Sequence, residues 1–311
     1  MPRRLVARRT RRTISPGVLA MSGQHSFIST SRPAGPWRPA SPHERVNRDT
    51  YASRRAVRMY QELSGYTDPG EQAALERVAG VCRDRPILDL GVGAGRTIPL
   101  LRQISRDYVA VDYTPALVDA CRARYPGVDV RVGDARDLSA FPGESFALVV
   151  FSWNGIDSVD HRDRLTILRE IQRVLAPDGI CVFSAHNYDG PVNHPGRHEL
   201  PDFHPSVNPL KLARRSLEFL RQLAMGMRNH RRNRALELRT DDYRVANSGA
   251  HEYGLLIHHI RLDVQQRQLA QLGFEQVEVL SCVDGHELAV GEDSSAITWF
   301  HFIARKRVRF D

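Results

Sequence analysis

Three glycines at alternate positions, Gly91, Gly93 and Gly95, follow an apolar run (Ile87, Leu88, Leu90), and a helix-like stretch opens at Thr97. Glycines at a strand-to-helix turn let the backbone bend tightly and let a ligand approach with no Cβ in its way. The helix behind them aims its free N–H groups and positive dipole end at whatever rests on the turn. Acids complete the pattern. Asp89 lies two residues before Gly91, Asp112 ends a second apolar run (108–111), and Asp134 follows a third (128–132) and Gly133. Together these residues describe a site for a nucleotide-type ligand. A dinucleotide fingerprint needs glycine where Arg96 stands, and a phosphate-cradling loop needs a Gly-Lys-Ser/Thr ending that the chain lacks. Carboxylates at three strand ends would repel a pyrophosphate, but they suit a ligand with a cationic centre, a ribose and an amino group.

On these residues the chain resembles the class I, Rossmann-like S-adenosylmethionine-dependent methyltransferases, over roughly residues 50–187 and again in a C-terminal hairpin. The resemblance implies that Gly91, Gly93 and Gly95 form the loop under the methionine part of S-adenosyl-L-methionine, with Asp89 and Phe151 beside it. Asp112 would accept both ribose hydroxyls. Asp134 would bond the adenine amino group while the Ala135 backbone caps the ring edge. Arg96 would pair with the cofactor carboxylate, and Tyr51, in an N-terminal helix, would touch the methionine end; plain core packing is the competing role for Tyr51.

Methyl transfer is an in-line displacement that needs alignment and, for a hydroxyl acceptor, removal of one proton. The exit of the fourth strand, residues 151–157, should lie beside the transferred methyl, which makes Asn154 and Asp157 candidates there. This exit lacks the Asn/Asp-Pro-Pro-Tyr/Phe motif of enzymes that methylate exocyclic amines of bases, and the Pro-Cys nucleophile of cytosine C5 enzymes. Ten of the thirteen histidines fall after residue 185, and an imidazole titrates in the right range to take a hydroxyl proton. His186, just after the fifth strand, and His251 are the catalytic candidates together with Asp157; Asn154, Tyr253 and His258 are the substrate-side candidates. A hydrogen-bonded structural histidine is the competing role for each. His194, His198 and His204 are irregularly spaced with no arranged carboxylates, so no metal is expected.

Alternating strand and helix candidates read as an α/β, doubly wound sheet, and the resemblance implies that it is seven-stranded and mostly parallel, with a C-terminal antiparallel hairpin and a helical insertion after strand five. The strand candidates are 87–90, 108–111, 128–132, 146–151, 180–183, 274–280 and 297–303. Residues 44–86 read as N-terminal helices over the cofactor site, broken at Asp68-Pro69-Gly70, and 87–187 as the binding core. Residues 188–255 form an insertion or lid shaping the acceptor region, and 256–311 a helix and the closing hairpin. Within the insertion Ala213, Leu217, Leu220, Ala224 and Met227 share one helix face, among nine Lys/Arg between 211 and 239. A lid, a packed helix with a solvated basic face, a helix resting on an anionic membrane, and a helix holding a phosphorylated or carboxylated substrate are all open.

The net charge of +8 invites a nucleic-acid partner, but residues 1–43 hold eight arginines and no acid, and the rest of the chain is neutral. That tail reads as disordered. A transit peptide, a nucleic-acid arm, or sequence upstream of a start at Met21 would each explain it; we favour the last. Four scattered cysteines with no C-x-x-C pair, and no apolar stretch near ~20 residues, fit a cytoplasmic protein with no transmembrane segment. The expected activity is methylation of a small-molecule acceptor, at a hydroxyl oxygen. An RNA- or DNA-associated methyltransferase and a non-catalytic cofactor-binding regulator are the alternatives, and oligomeric state is not legible.

Overall fold

Leu88, Leu90, Val109, Val111, Val149 and Phe151 point to one side of the central sheet, while Ile87, Ala110, Leu148 and Val150 point to the other. Such apolar strands, buried on both faces, must be covered by helices on both faces. The computed structural model describes residues 41–191, 203 and 205–308. Strands β1 (Ile87–Leu90), β2 (Tyr108–Asp112), β3 (Asp129–Val132), β4 (Phe146–Phe151) and β5 (Leu175–Asn187) pair in parallel in the order β3-β2-β1-β4-β5. Helices α3 (Pro69–Ala79), α4 (Ile98–Ile104) and α5 (Pro115–Arg124) cover one face, and α6 (His161–Val174) and α9 (Leu262–Gln271) the other. β9 (Phe274–Ser281) and β10 (Trp299–Lys306) close the sheet as an antiparallel hairpin against β5. These seven strands are the expected doubly wound sheet.

Asp68-Pro69-Gly70 is a helix start: Asp68 Oδ1 accepts the Glu71 N–H at 2.9 Å and Pro69 occupies the first turn. A second break separates α1 (Pro42–Tyr51) from α2 (Arg54–Glu62), where Ser53 caps α2. The division expected between 43 and 44 therefore falls inside α1, which Ser41 caps. The tail and His194, His198 and His204 lie outside the described residues, apart from the start of α1.

The insertion carries more than a helix. After α7 (Pro209–Asn233) come β6 (Leu238–Arg239), β7 (Tyr243–Ser248), the short α8 (Ala250–Tyr253) and β8 (Leu255–Ile260). β6, β7 and β8 form an antiparallel leaf, and the division expected between 255 and 256 cuts into β8. β4 leaves the sheet after Phe151, paired with Phe183, while β5 runs on to Asn187. β10 holds the other edge of β5 through Trp299 and His186, so β8 takes the edge β4 vacates, pairing His259 with His186 and Ile260 with Asn187. The leaf thus stands over the C-terminal ends of the parallel strands, where ligands of such sheets bind. No helix among the described residues is long and apolar enough to cross a membrane.

Candidate active site

The loop between β1 and α4 is left-handed at each of its glycines, with φ of 64° at Gly91, 55° at Gly93 and 91° at Gly95. At Gly91 a Cβ would stand 2.6 Å from Phe151 Cε2; at Gly93 it would meet only Tyr60 Cδ1, 3.9 Å away. The Asp112 carboxylate accepts the N–H of Gly93 (2.9 Å) and of Thr114 (2.7 Å), which ties the loop to the end of β2. Burial pushes the Asp112 carboxyl above its usual range. These groups floor a cleft of about 800 Å³ with Gly133 and Ala135 along one side and Phe151, Trp153, Tyr60 and Tyr51 along the other.

Of the expected cofactor residues, Gly91, Gly93, Arg96, Asp112, Ala135, Phe151 and Tyr51 line this cleft. Asp89 does not. Its buried carboxylate accepts from Thr97 Oγ1 (2.5 Å) and Tyr108 Oη (2.7 Å), and burial raises it to about 6. Asp134 turns to cations instead of the cleft: Arg48 Nη2 lies at 3.1 Å and Arg136 Nη2 at 2.5 Å, while its Oδ1 accepts the Arg136 N–H. Arg136 also pairs with Glu44 and Asp163, so α1, the end of β3 and α6 are joined by charge. Gly95 is packed against Tyr125, behind the loop. Arg96 reaches the cleft, but its guanidinium is paired in a bidentate bond with Glu71 (both contacts 2.7 Å), donates to Tyr66 O and Ser152 Oγ, and lies over the Trp153 ring. Its charge is thus met within the protein by Glu71, where the resemblance implied a cofactor carboxylate. A bidentate buried pair of this kind locks α3 to the glycine loop.

At the exit of β4, Trp153 (φ 48°) and Asn154 (φ 57°) are both left-handed, and the chain then winds through a 3₁₀ turn over Gly155–Ser158. This swings Asp157 into the protein instead of toward the methyl. Fully buried, it pairs with Arg164 and accepts from His186 Nδ1 (2.8 Å) and the His186 N–H (2.7 Å). Arg164 in turn donates to Gln265 Oε1 at 2.5 Å. Asn154 is buried too, its N–H bonded to Ser184 Oγ. Neither Asn154, Asp157 nor His186 lines the cleft, although Ser158 does, bonded to Tyr51 Oη at 2.9 Å.

His258 is fully buried, stacked on Tyr243 and His161, because both faces of β8 are covered. Tyr253 packs edge-on against His230 of α7. Both are engaged in the packing of the insertion and absent from the cleft lining, where a substrate-side role was expected. His251 differs. Residues His251, Glu252 and Tyr253 are three consecutive left-handed residues, φ 52°, 51° and 58°. Such backbone costs about 1–3 kcal/mol per residue and persists only where its surroundings impose it. Here Asn229 Nδ2 donates to Glu252 O (3.0 Å), Asn233 Nδ2 to Tyr253 O (2.9 Å) and Thr50 Oγ1 to Gly254 O (2.6 Å), while Arg55 pairs with Glu252 at 2.6 Å. The result lays the His251 ring on Tyr60 (centroids 6.0 Å, 18°) and edge-on to Tyr51 (6.3 Å), two walls of the cleft. Neither ring nitrogen has a hydrogen bond among the described residues. Burial, aided by Arg55, holds this imidazole below the ordinary 6.5.

Sequence reading passed over Tyr60, Tyr113, Trp153 and Ser158, which line the cleft, and Glu71 and Asn233, which hold its parts. Tyr113 had a signal in its place directly after Asp112. Trp153 and Ser158 lie in or just after the β4 exit already singled out, while Tyr60, Glu71 and Asn233 reach the site from other segments.

Burial lowers His43, His161, His258 and His259 as well, the last two well below 6.5. A histidine kept neutral in the fold takes up its proton only on unfolding, so stability is full above about pH 6.5 and is lost as pH falls below it. His258 and His259 alone should cost about 2 kcal/mol between roughly pH 7 and 5.5. Asp89 acts with the opposite sign, since its raised carboxyl takes up a proton near 6 in the fold and offsets part of this. Urea midpoints at the two pH values should show the net loss, and an unchanged midpoint would contradict the buried, neutral histidines.

A family profile described as "Methyltransferase domain" matches residues 87–179. A probable S-adenosylmethionine-dependent methyltransferase of Mycolicibacterium smegmatis is 32% identical over 117 residues, 37% of this chain and 44% of that protein. The malonyl-[acyl-carrier protein] O-methyltransferase of Halorhodospira halophila is 40% identical over 130 residues, 40% of this chain and 43% of that protein. The chain thus spans less than half the length of these curated relatives. The CcbJ methyltransferase of Streptomyces caelestis has the same fold, with a TM-score of 0.51 at 17% identity over 85% of this chain and 99% of that one. Residues 87–179, which hold the glycine loop and Asp112, thus match a methyltransferase domain, and the chain is similar there to S-adenosylmethionine-dependent methyltransferases.

Proposed function

We propose that the whole chain transfers a methyl group from S-adenosyl-L-methionine to a hydroxyl oxygen of a small-molecule acceptor. The residues of the cleft fit the cofactor. Each Asp112 oxygen accepts one backbone N–H and keeps a lone pair for a ribose hydroxyl. Gly93 leaves room where a side chain would stand, and Tyr113 Oη is buried without a partner. Gly91 and Gly93 then bed the methionine part, Gly133 and Ala135 border the adenine, and Tyr51 and Phe151 close the sides. With Asp134 held by Arg48 and Arg136, the adenine edge is left to backbone groups.

When bound, the cofactor supplies an electrophilic methyl on its sulfonium. The chain's own residues orient the acceptor between Tyr60, Tyr51 and Trp153. His251 carries the assignment to oxygen: its imidazole, laid on Tyr60 and edge-on to Tyr51 behind the lining and kept neutral by burial, would accept the hydroxyl proton as the methyl passes from sulfur to oxygen. The Halorhodospira relative, an O-methyltransferase by name, supports the same element. His186, turned onto Asp157, is the second candidate base; its ring partners, Asp157, His259 and Trp299, are not among the residues that line the cleft.

Methyl-labelled cofactor offered with a panel of phenols, carboxylates, alcohols and amines tests the proposal. Label on a hydroxyl compound, lost in His251→Ala, is the expected result. Label on amines alone, or tight cofactor binding with no transfer across the panel, would overturn it.

A further inference from the structure

Helix α7 turns its apolar stripe away from the protein. Its packed side is Phe219, Gly226, Asn229 and Asn233, the last two holding the left-handed turn at His251. The opposite side carries the row Ala213, Leu217, Leu220, Ala224, Met227, extended by Leu210; Leu210 is 80% exposed, Leu217 69% and Leu220 59%. Sequence spacing predicts this row, but the packing runs on the other face because Gly226 and the two asparagines fit closely over the turn. Along one flank Arg214, Arg221 and Arg228 recur every seven residues, and none of the three has an ion pair among the described residues. The helix holds seven Lys/Arg against a single acid, Glu218, which faces Arg55 at 3.9 Å.

Exposed leucines in a continuous row mark a surface that meets something. A second copy would bring one arginine row against another across an antiparallel pair, and like charges there are destabilising. The N-terminal segment, with its eight arginines and no acid before residue 44, is repelled by the same charge. What fits is apolar and anionic together. A bilayer offers acyl chains to the leucines and phosphates to the guanidinium groups, whose stems lie along the apolar surface while their heads stay wet.

We propose that α7 docks the protein on an anionic lipid surface. The full chain is sedimented with vesicles of phosphatidylcholine, alone or mixed with phosphatidylglycerol, without cofactor or acceptor, so the outcome is independent of the transfer reaction. Binding to the mixed vesicles only, weakening with salt, is expected. Leu217→Glu with Leu220→Glu, and separately Arg214→Glu with Arg221→Glu and Arg228→Glu, should each weaken it about tenfold or more. These side chains are at the surface, so melting curves of the variants should match wild type. Equal binding by variants and wild type would assign the affinity to the arginine-rich tail and overturn the proposal. So would an absence of vesicle binding, a wild-type dimer that Leu217→Glu dissociates, or capture of an acidic protein or RNA in preference to vesicles.

Discussion

Asp112→Ala is expected to weaken S-adenosylmethionine binding by about 100-fold or more, with the fold retained, because two hydrogen bonds to a charged acceptor are removed at once. The same carboxylate fastens Gly93 and Thr114. Alanine would therefore both delete the ribose acceptor and free the loop, and the two effects add in the same direction. Asp112→Asn separates them: one carbonyl oxygen survives to hold a single N–H, so its affinity should fall between wild type and alanine. Since burial already raises this carboxyl, wild-type affinity should decline on acidification as the acid takes up its proton. Calorimetric titration of the three proteins, with circular dichroism to verify folding, reads all of this. Unchanged affinity in the alanine variant would remove the cofactor from this cleft.

His251→Ala should lower kcat by about 10²–10⁴ with little change in cofactor affinity, the usual range for losing a positioned general base. In the wild type the base is unprotonated above its pKa. The rate should therefore rise with pH along a limb centred below 6.5 and then level off. His251→Ala should lose that limb, whereas a residue that merely packs on Tyr60 would lower the rate and keep it. His186→Ala serves as the contrast: with its imidazole on Asp157 and its ring packed on His259 and Trp299 instead of on residues of the lining, it should change kcat by less than about tenfold. If the acid limb disappears in His186→Ala instead, the base assignment passes to that residue.

The parallel strands, the closing hairpin and the glycine loop were legible because each is written locally, as an apolar run ending in glycine or aspartate. The leaf was not. Tyr243–Ser248 and Leu255–Ile260 are short, and the polar Arg244, Asn247 and paired histidines blur the alternation that marks a strand. Arg96 and Asp134 stood where a family motif would use them, yet Glu71, the partner of Arg96, lies 25 residues away, and Asp134 is held by Arg136 two residues on together with Arg48, 86 residues away. Charge pairing across such separations leaves no trace in local spacing. α7 failed in another way: its periodicity was legible, and its direction was not, since the buried face is chosen by shape at Gly226 and by two asparagine amides instead of by apolar area.

The leaf is joined to the main sheet by a ladder of only two residue pairs, His186 with His259 and Asn187 with Ile260. Beyond one further backbone bond, from the Tyr188 N–H to Ile260 O, the described contacts at that seam are side chains, among them histidine rings stacked around Tyr243. An element fastened so sparingly by backbone opens as its own cooperative unit, at a free energy below that of global unfolding. Amide hydrogens of Leu255–Ile260 should then exchange well ahead of those in Ile87–Leu90 and Phe146–Phe151, and faster still in mild acid as the seam takes up protons. The part of the molecule that stands over the ligand would also be the part that breathes.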